Sequence, residues 1–192
     1  MPEPAPDPAV LRGREILVGV TGGIAAFKAA ALVSALAQAG AGVSVVLTRA
    51  AARFVAPLTF HALSGRPVYD DLWSAPDGSA APHIVLADRA EVAVVAPATA
   101  DLLAKAAHGI ADDLLTSTLV ALEAPLIVAP AMHERMWRHP AVQANVETLR
   151  ARGVQLVGPA EGRLACGTSG PGRMVEPDAI LAAVVRALAP SV

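Results

Sequence analysis

A chain of 192 residues, 54% hydrophobic and 17% charged, is long enough to bury one substantial core and needs no second domain. Its 15 lysines and arginines stand against 17 acids, a net charge of −2 without basic blocks, which argues against nucleic acid as the main partner. No apolar run reaches the roughly 20 residues of a membrane helix, which argues against a membrane partner, and a single cysteine, Cys166, excludes both an internal disulfide and a multi-cysteine metal site.

The opening from Met1 to Pro8 alternates proline with small and acidic residues and has neither the basic nor the apolar region of a signal peptide. Residues 1–13 are therefore expected to form a flexible tail and the protein to be cytoplasmic, with residues 14–192 as one domain. Glu15–Val20 reads as a strand, Thr21-Gly22-Gly23 as a turn, and Ile24 to Gln38 as a long alanine-rich helix. Strand, glycine turn and helix together suit an anion such as phosphate, because free N–H groups and the helix dipole meet there. A bare turn reads the same way, since the full dinucleotide fingerprint is missing. Val43–Leu47 is the next strand. Thr48 at its end could donate a hydroxyl to the same phosphate, and the lack of an acid there suits a mononucleotide better than a dinucleotide.

Phe54–Leu63 is expected to be helical and Gly65–Pro82 to be a loop. A short helix over His83–Asp88 leads into the strand Val92–Val95. His83, just after Pro82, is either a capping surface histidine or one that faces a cleft. Ala96 to Asp101 forms another strand-to-turn junction, followed by a helix over Leu102–Ala107 that ends at His108-Gly109. Asp112 and Asp113 are expected to cap the helix Leu114–Leu122. Leu126–Ala129 then reads as a buried strand, and Pro130, which has no N–H to donate, is expected to end it. The chain must turn at Ala131-Met132-His133 and enter an amphipathic helix carrying Met136 and Trp137. In a doubly wound sheet such a turn faces the ligand crevice.

A helix over Pro140–Arg150, a strand over Gln155–Val157 and a closing helix over Asp178–Leu188 complete the pattern. Between the last two lies 158–174, where 5 glycines and 2 prolines predict a loop without regular structure. Cys166 makes it either a substrate flap, over about 159–174, or a floppy connector with an incidental thiol. The alternation predicts an α/β, Rossmann-like three-layer αβα domain with a mostly parallel sheet of about five or six strands.

These motifs, in this order from about Glu15 to Ala187, resemble the flavin mononucleotide (FMN)-dependent cysteine decarboxylase flavoprotein family, which includes phosphopantothenoylcysteine decarboxylases and peptidyl-cysteine decarboxylases. The resemblance implies FMN held by Gly22, Gly23, Ile24, Thr48, Phe54, Pro97, Ala98, Thr99, Asp101, Ala131 and Met132. It implies His83 as the catalytic histidine, Cys166 as the active cysteine of the flap, and Met132, His133, Met136 and Trp137 as the substrate-recognition motif. His133 stands where the family usually has asparagine, and Asp101 where asparagine is common. Both imidazole and amide can donate to a carboxylate.

The implied chemistry follows from the substrate. Loss of carbon dioxide from a saturated cysteine leaves a carbanion without a sink, and a flavin supplies one by oxidising the carbon that bears sulfur. An imidazole at His83 would move the proton. Cys166 would help reduce the enethiol product, which favours the coenzyme A enzymes, making phosphopantetheine, over peptide decarboxylases that stop at the aminoenethiol. A non-catalytic flavin-binding regulatory subunit and a flavoprotein prenyltransferase are the remaining alternatives. The resemblance also implies a substrate that is a small molecule or a peptide ending in cysteine, and an assembly that is a homotrimer or homododecamer with FMN and His83 meeting at subunit interfaces. A stand-alone enzyme and an excised domain would both have this length.

Overall fold

The structure, a computed structural model, describes residues 8–163, 167 and 169–189. Six strands, β1 (Glu15–Val20), β2 (Gly42–Leu47), β3 (Val68–Tyr69), β4 (Val92–Ala98), β5 (Leu126–Pro130) and β6 (Gln155–Leu156), form one sheet in the order β3-β2-β1-β4-β5-β6. Every pairing in it is parallel. The helices are α1 (Ala26–Gln38), α2 (Pro57–Ser64), α3 (Pro82–Arg89), α4 (Ala100–His108), α5 (Leu114–Ala121), α6 (Glu134–Trp137), α7 (Pro140–Ala151) and α8 (Pro177–Leu188). An antiparallel hairpin, β7 (Ala160–Arg163) and β8 (Ser169–Arg173), stands apart from the sheet.

The central strands are covered on both faces, so they read as unbroken apolar runs, and their side chains alternate between two cores. Ile16, Val18 and Val20 pack with Leu32 and Leu36 of α1, Phe60 of α2 and Ile180 of α8. Leu17, Val46 and Val95 pack with Leu86 of α3, Leu103 of α4, Leu115 of α5 and Val146 of α7. At Gly19 a Cβ would come within 2.5 Å of Leu115, so a small residue on β1 lets α5 seat there. Two helix ends show the expected chemistry. Asp113 and Thr116 form a reciprocal capping box on α5, and Gly109 closes α4 in the left-handed conformation at φ 67.

Several expectations are corrected. The stretch from Gly65 to Pro82 contains β3, an edge strand held by backbone pairing with Val45 and Val46 rather than by any local pattern. Residues 158–174 are partly regular, with β7 and β8 paired from Ala160↔Arg173 to Arg163↔Ser169. α1 begins at Ala26 because the turn continues through Ile24 and Ala25, the Gly23 carbonyl accepting from the Ala26 N–H at 2.9 Å. Phe54 follows a 3-10 turn, Ala51–Arg53, and α2 starts only at Pro57, where a first-turn proline needs no acceptor. β4 runs on to Ala98, and β5 includes Pro130, whose missing N–H falls at the very end of the ladder opposite Ala98.

Candidate active site

From β1 the chain winds outward through β2 and β3, then returns to β4 on the other side of β1. Loops leaving the carboxyl ends of β1 and β4 therefore diverge and open a crevice, the place where doubly wound sheets bind ligands. A cavity of about 710 Å³ lies there. Its wall joins the Gly22–Ala25 turn and Phe27 and Lys28 of α1 to Thr99 and Ala100 at the start of α4. Ala131, Met132, His133 and Met136 form a second side, and Arg163, Gly172, Arg173 and Met174 of the hairpin segment a third.

One buried hydroxyl ties β1 to β4 at this end. Thr21, 2% exposed, donates from Oγ1 to the Pro97 carbonyl at 2.6 Å and accepts from the Thr99 N–H at 3.1 Å. Sequence reasoning does not single it out, though a threonine between an apolar strand and two glycines is a visible signal. Beyond Thr21, a Cβ on Gly22 would overlap Ala50, so the glycine lets the Thr48–Ala51 turn close against it. At Gly23 a Cβ would touch only Pro97 and Thr99, each at 3.8 Å. The N–H groups of Gly22, Ile24 and Ala25 have no acceptor among the described residues. Three amides at the opening of a 13-residue helix fit a phosphate, whose oxygens accept and whose charge the helix dipole favours.

The second side is held by the backbone. Ala131 donates to the Ala98 carbonyl at 3.0 Å, and Met132 donates to the Gly172 carbonyl at 3.0 Å, which fastens the hairpin to the strand end. Gly172 has φ 135, and a Cβ there would run into the Met132 carbonyl. His133 is the N-cap of α6. Its Nδ1 accepts from the Arg135 N–H at 3.1 Å, so Nε2 carries the proton of the neutral ring and can donate to a carboxylate.

The third side is cationic. Lys28 Nζ donates to the Met174 carbonyl at 3.3 Å and to Glu176 Oε1 at 2.8 Å, and Arg173 Nη1 lies 3.6 Å from the same oxygen. Hydrogen bonding by the Lys28 ammonium holds the Glu176 carboxyl below its ordinary range. The Arg163 side chain has no ion pair or hydrogen bond among the described residues. Sequence reasoning places Lys28 only at the end of the phosphate-binding turn that the family resemblance implies and assigns no role to Arg163 or Arg173, because basic residues so far apart carry no shared spacing.

Of the residues singled out from the sequence, Gly22, Gly23, Ile24, Thr99, Ala131, Met132, His133 and Met136 line this cavity. Thr48, Phe54, Pro97, Ala98, Asp101 and Trp137 lie outside its wall. Thr48 Oγ1 accepts from the Ala51 N–H at 3.2 Å, Asp101 pairs with Lys105 at 3.2 Å, and Pro97 and Ala98 supply the carbonyls described above. His83 sits in the first turn of α3, which packs on α5 in the other helical layer. It is not part of the cavity wall, and its Nδ1 is buried with no hydrogen-bond partner among the described residues. Cys166 lies outside the described residues. Those residues hold no group of side chains arranged for a metal and no helix long and apolar enough to cross a membrane.

The model of the Flavoprotein family matches residues 5–189. Among curated proteins, the Coenzyme A biosynthesis bifunctional protein CoaBC of Bacillus subtilis (strain 168) is 50% identical over 172 residues, 90% of this chain and 42% of that protein. The chain thus spans less than half the length of the curated relatives it matches. Among solved structures, the FMN-dependent cysteine decarboxylase SpaF superposes with a TM-score of 0.79 at 35% identity, covering 93% of this chain and 99% of that one. A cysteine-to-serine mutant of PPC decarboxylase, complexed with pantothenoylaminoethenethiol, gives a TM-score of 0.81 at 33% identity, with 90% and 97% covered.

Proposed function

Because this chain belongs to the Flavoprotein family, we propose that it is a cytoplasmic FMN-dependent cysteine decarboxylase that converts phosphopantothenoylcysteine to phosphopantetheine in coenzyme A synthesis. The observation that carries the reading is a single cavity that joins a phosphate-fitting turn of unpaired amides to the Met132-His133 corner under a cationic hairpin. Gly22, Gly23 and Ile24, braced by Thr48 and Thr99, would hold the FMN phosphate, with Phe54, Pro97, Ala98, Asp101, Ala131 and Met132 around the rest of the cofactor. Bound FMN would supply a reversible two-electron acceptor at the carbon that bears sulfur, the chemistry that a saturated product without net oxidation requires. His133, with its Nε2 proton, would hold the cysteine carboxylate, and Met132, Met136 and Trp137 the apolar part of the cysteine end.

His83 would take the thiol proton, and Cys166 would deliver a proton to the enethiol. A histidine off its own chain's cavity wall, with a buried Nδ1 that has no partner among the described residues, supports a homotrimer or homododecamer in which His83 reaches FMN across a subunit interface. Exposed Ile24 and Phe27 at the cavity rim suit the same arrangement.

The likeness to SpaF, an FMN-dependent cysteine decarboxylase, over nearly its whole length suits equally a second reading, decarboxylation of a peptide ending in cysteine to an aminoenethiol. Mass spectrometry of the flavin-loaded protein, incubated separately with phosphopantothenoylcysteine and with such a peptide, separates the two. Loss of carbon dioxide alone from the first compound is the expected result. Loss of carbon dioxide and two hydrogens from the peptide in preference would replace the reading, and no change in either would leave a flavin-binding subunit. His83→Asn is expected to keep its flavin and lose turnover.

A further inference from the structure

We infer that Arg163 and Arg173 are the specificity-determining residues for the terminal phosphate of the substrate, an inference that rests on the decarboxylase reading above. The two arginines come from opposite strands of the hairpin and line the same cavity as Lys28. Arg173 lies flat over Gly162, where a Cβ would stand 3.2 Å from its Nε, so the glycine makes room for the guanidinium to cross the hairpin.

Charge bookkeeping on this wall leaves a surplus. Lys28 and Arg173 share the one carboxylate of Glu176, and Arg163 has none among the described residues, so three cations face the cavity with one acid behind them. The other acids of this corner do not offset them, since Glu134 is paired with Arg138 at 2.9 Å and Glu161 forms no ion pair with either arginine. A surplus of two positive charges matches a phosphate monoester, which carries about −1.5 to −2 near pH 7. Guanidinium forks also fit phosphate oxygens in pairs, which an ammonium cannot do.

The other anions of the reaction have separate places. The Gly22–Ala25 amides suffice for the cofactor's phosphate, and Nε2 of His133 for the cysteine carboxylate. A peptide ending in cysteine brings only that carboxylate, so a third anion-binding subsite selects the phosphorylated small molecule.

The test uses the full flavin-loaded chain as wild type, Arg163→Gln, Arg173→Gln and Arg173→Lys, with phosphopantothenoylcysteine and pantothenoylcysteine as paired substrates. Wild type should prefer the phosphorylated compound. Losing charged hydrogen bonds should cut that preference, as a ratio of kcat/KM values, about 30-fold in Arg173→Gln and about 10-fold in Arg163→Gln, mostly through KM. Arg173→Lys should recover part of it, and FMN content should stay at the wild-type level. An equal fall on both substrates, or an unchanged ratio, would overturn the inference. So would loss of FMN with the ratio intact, which would place the arginines on the cofactor's phosphate. A wild type that prefers a peptide ending in cysteine to both compounds would overturn the functional reading itself, before any variant is compared.

Discussion

Thr21→Val removes one hydroxyl from the point where β1 and β4 part, and changes the side chain's shape very little. The Thr21 hydroxyl pairs with the Pro97 carbonyl at 2.6 Å and the Thr99 N–H at 3.1 Å, in a residue 2% exposed. Valine leaves both backbone groups without that partner. A buried group left unpaired costs about 1–3 kcal/mol. The bond to Pro97 is buried and takes the middle of that range, whereas Thr99 borders the cavity, where water can partly replace the lost acceptor. The sum is about 2–3 kcal/mol, roughly 5–10 °C in Tm for a chain of this size. Urea unfolding should show a lower midpoint at unchanged slope. Thr99 also caps α4 beside the glycine turn, so retained FMN should fall in the same variant. Thr21→Ser keeps the hydroxyl and should retain more stability than valine. A valine variant within about 0.5 kcal/mol of wild type, or a serine variant less stable than valine, would refute the assignment of this energy to the hydroxyl.

Two further perturbations test the frame that carries the site. Asp113→Ala removes the carboxylate that accepts from the Thr116 N–H at 2.8 Å and should cost about 1–2 kcal/mol in urea unfolding, with Asp113→Asn recovering most of it. Glu91 is held below its ordinary pKa, first by the Glu15 N–H at 3.0 Å and then by the Arg14 guanidinium. A depressed folded value means that its stabilisation is complete above 4.5, the ordinary value, and disappears as pH falls through the depressed one. The stability gap between wild type and Glu91→Gln should therefore be constant near neutrality and shrink as pH falls from 4.5 through the depressed value; a gap that stays constant over that fall would contradict the ion pair.

Much of this architecture is legible locally. β1 falls on Glu15–Val20, as expected, because a strand buried on both faces must be an unbroken apolar run. α3, α5, α7 and α8 begin or end within a residue or so of their punctuation by Pro82, Asp113, Pro140 and Pro177, since caps and first-turn prolines act on their own neighbours. β3 was illegible because two residues carry no period; only pairing with β2 makes them a strand. The hairpin was hidden for a related reason. Its glycines, which by themselves disfavour a strand, answer to close neighbours: the Met132 carbonyl leaves no room for a Cβ at Gly172, and Gly162, at φ 151, lies against the Arg173 side chain.

The sequence by itself determined the alternation of strands and helices, the glycine turn after the first strand, and the Met132-His133 corner after the fifth. Each of these is set by contacts within a few residues. Only the tertiary structure decided that Thr21 ties β1 to β4, that His83 lies off its own chain's cavity wall, and that Lys28, Arg163 and Arg173 face one space. Those relations depend on strand order and hairpin register, and residues far apart in the chain meet only after the sheet has closed its cores around them.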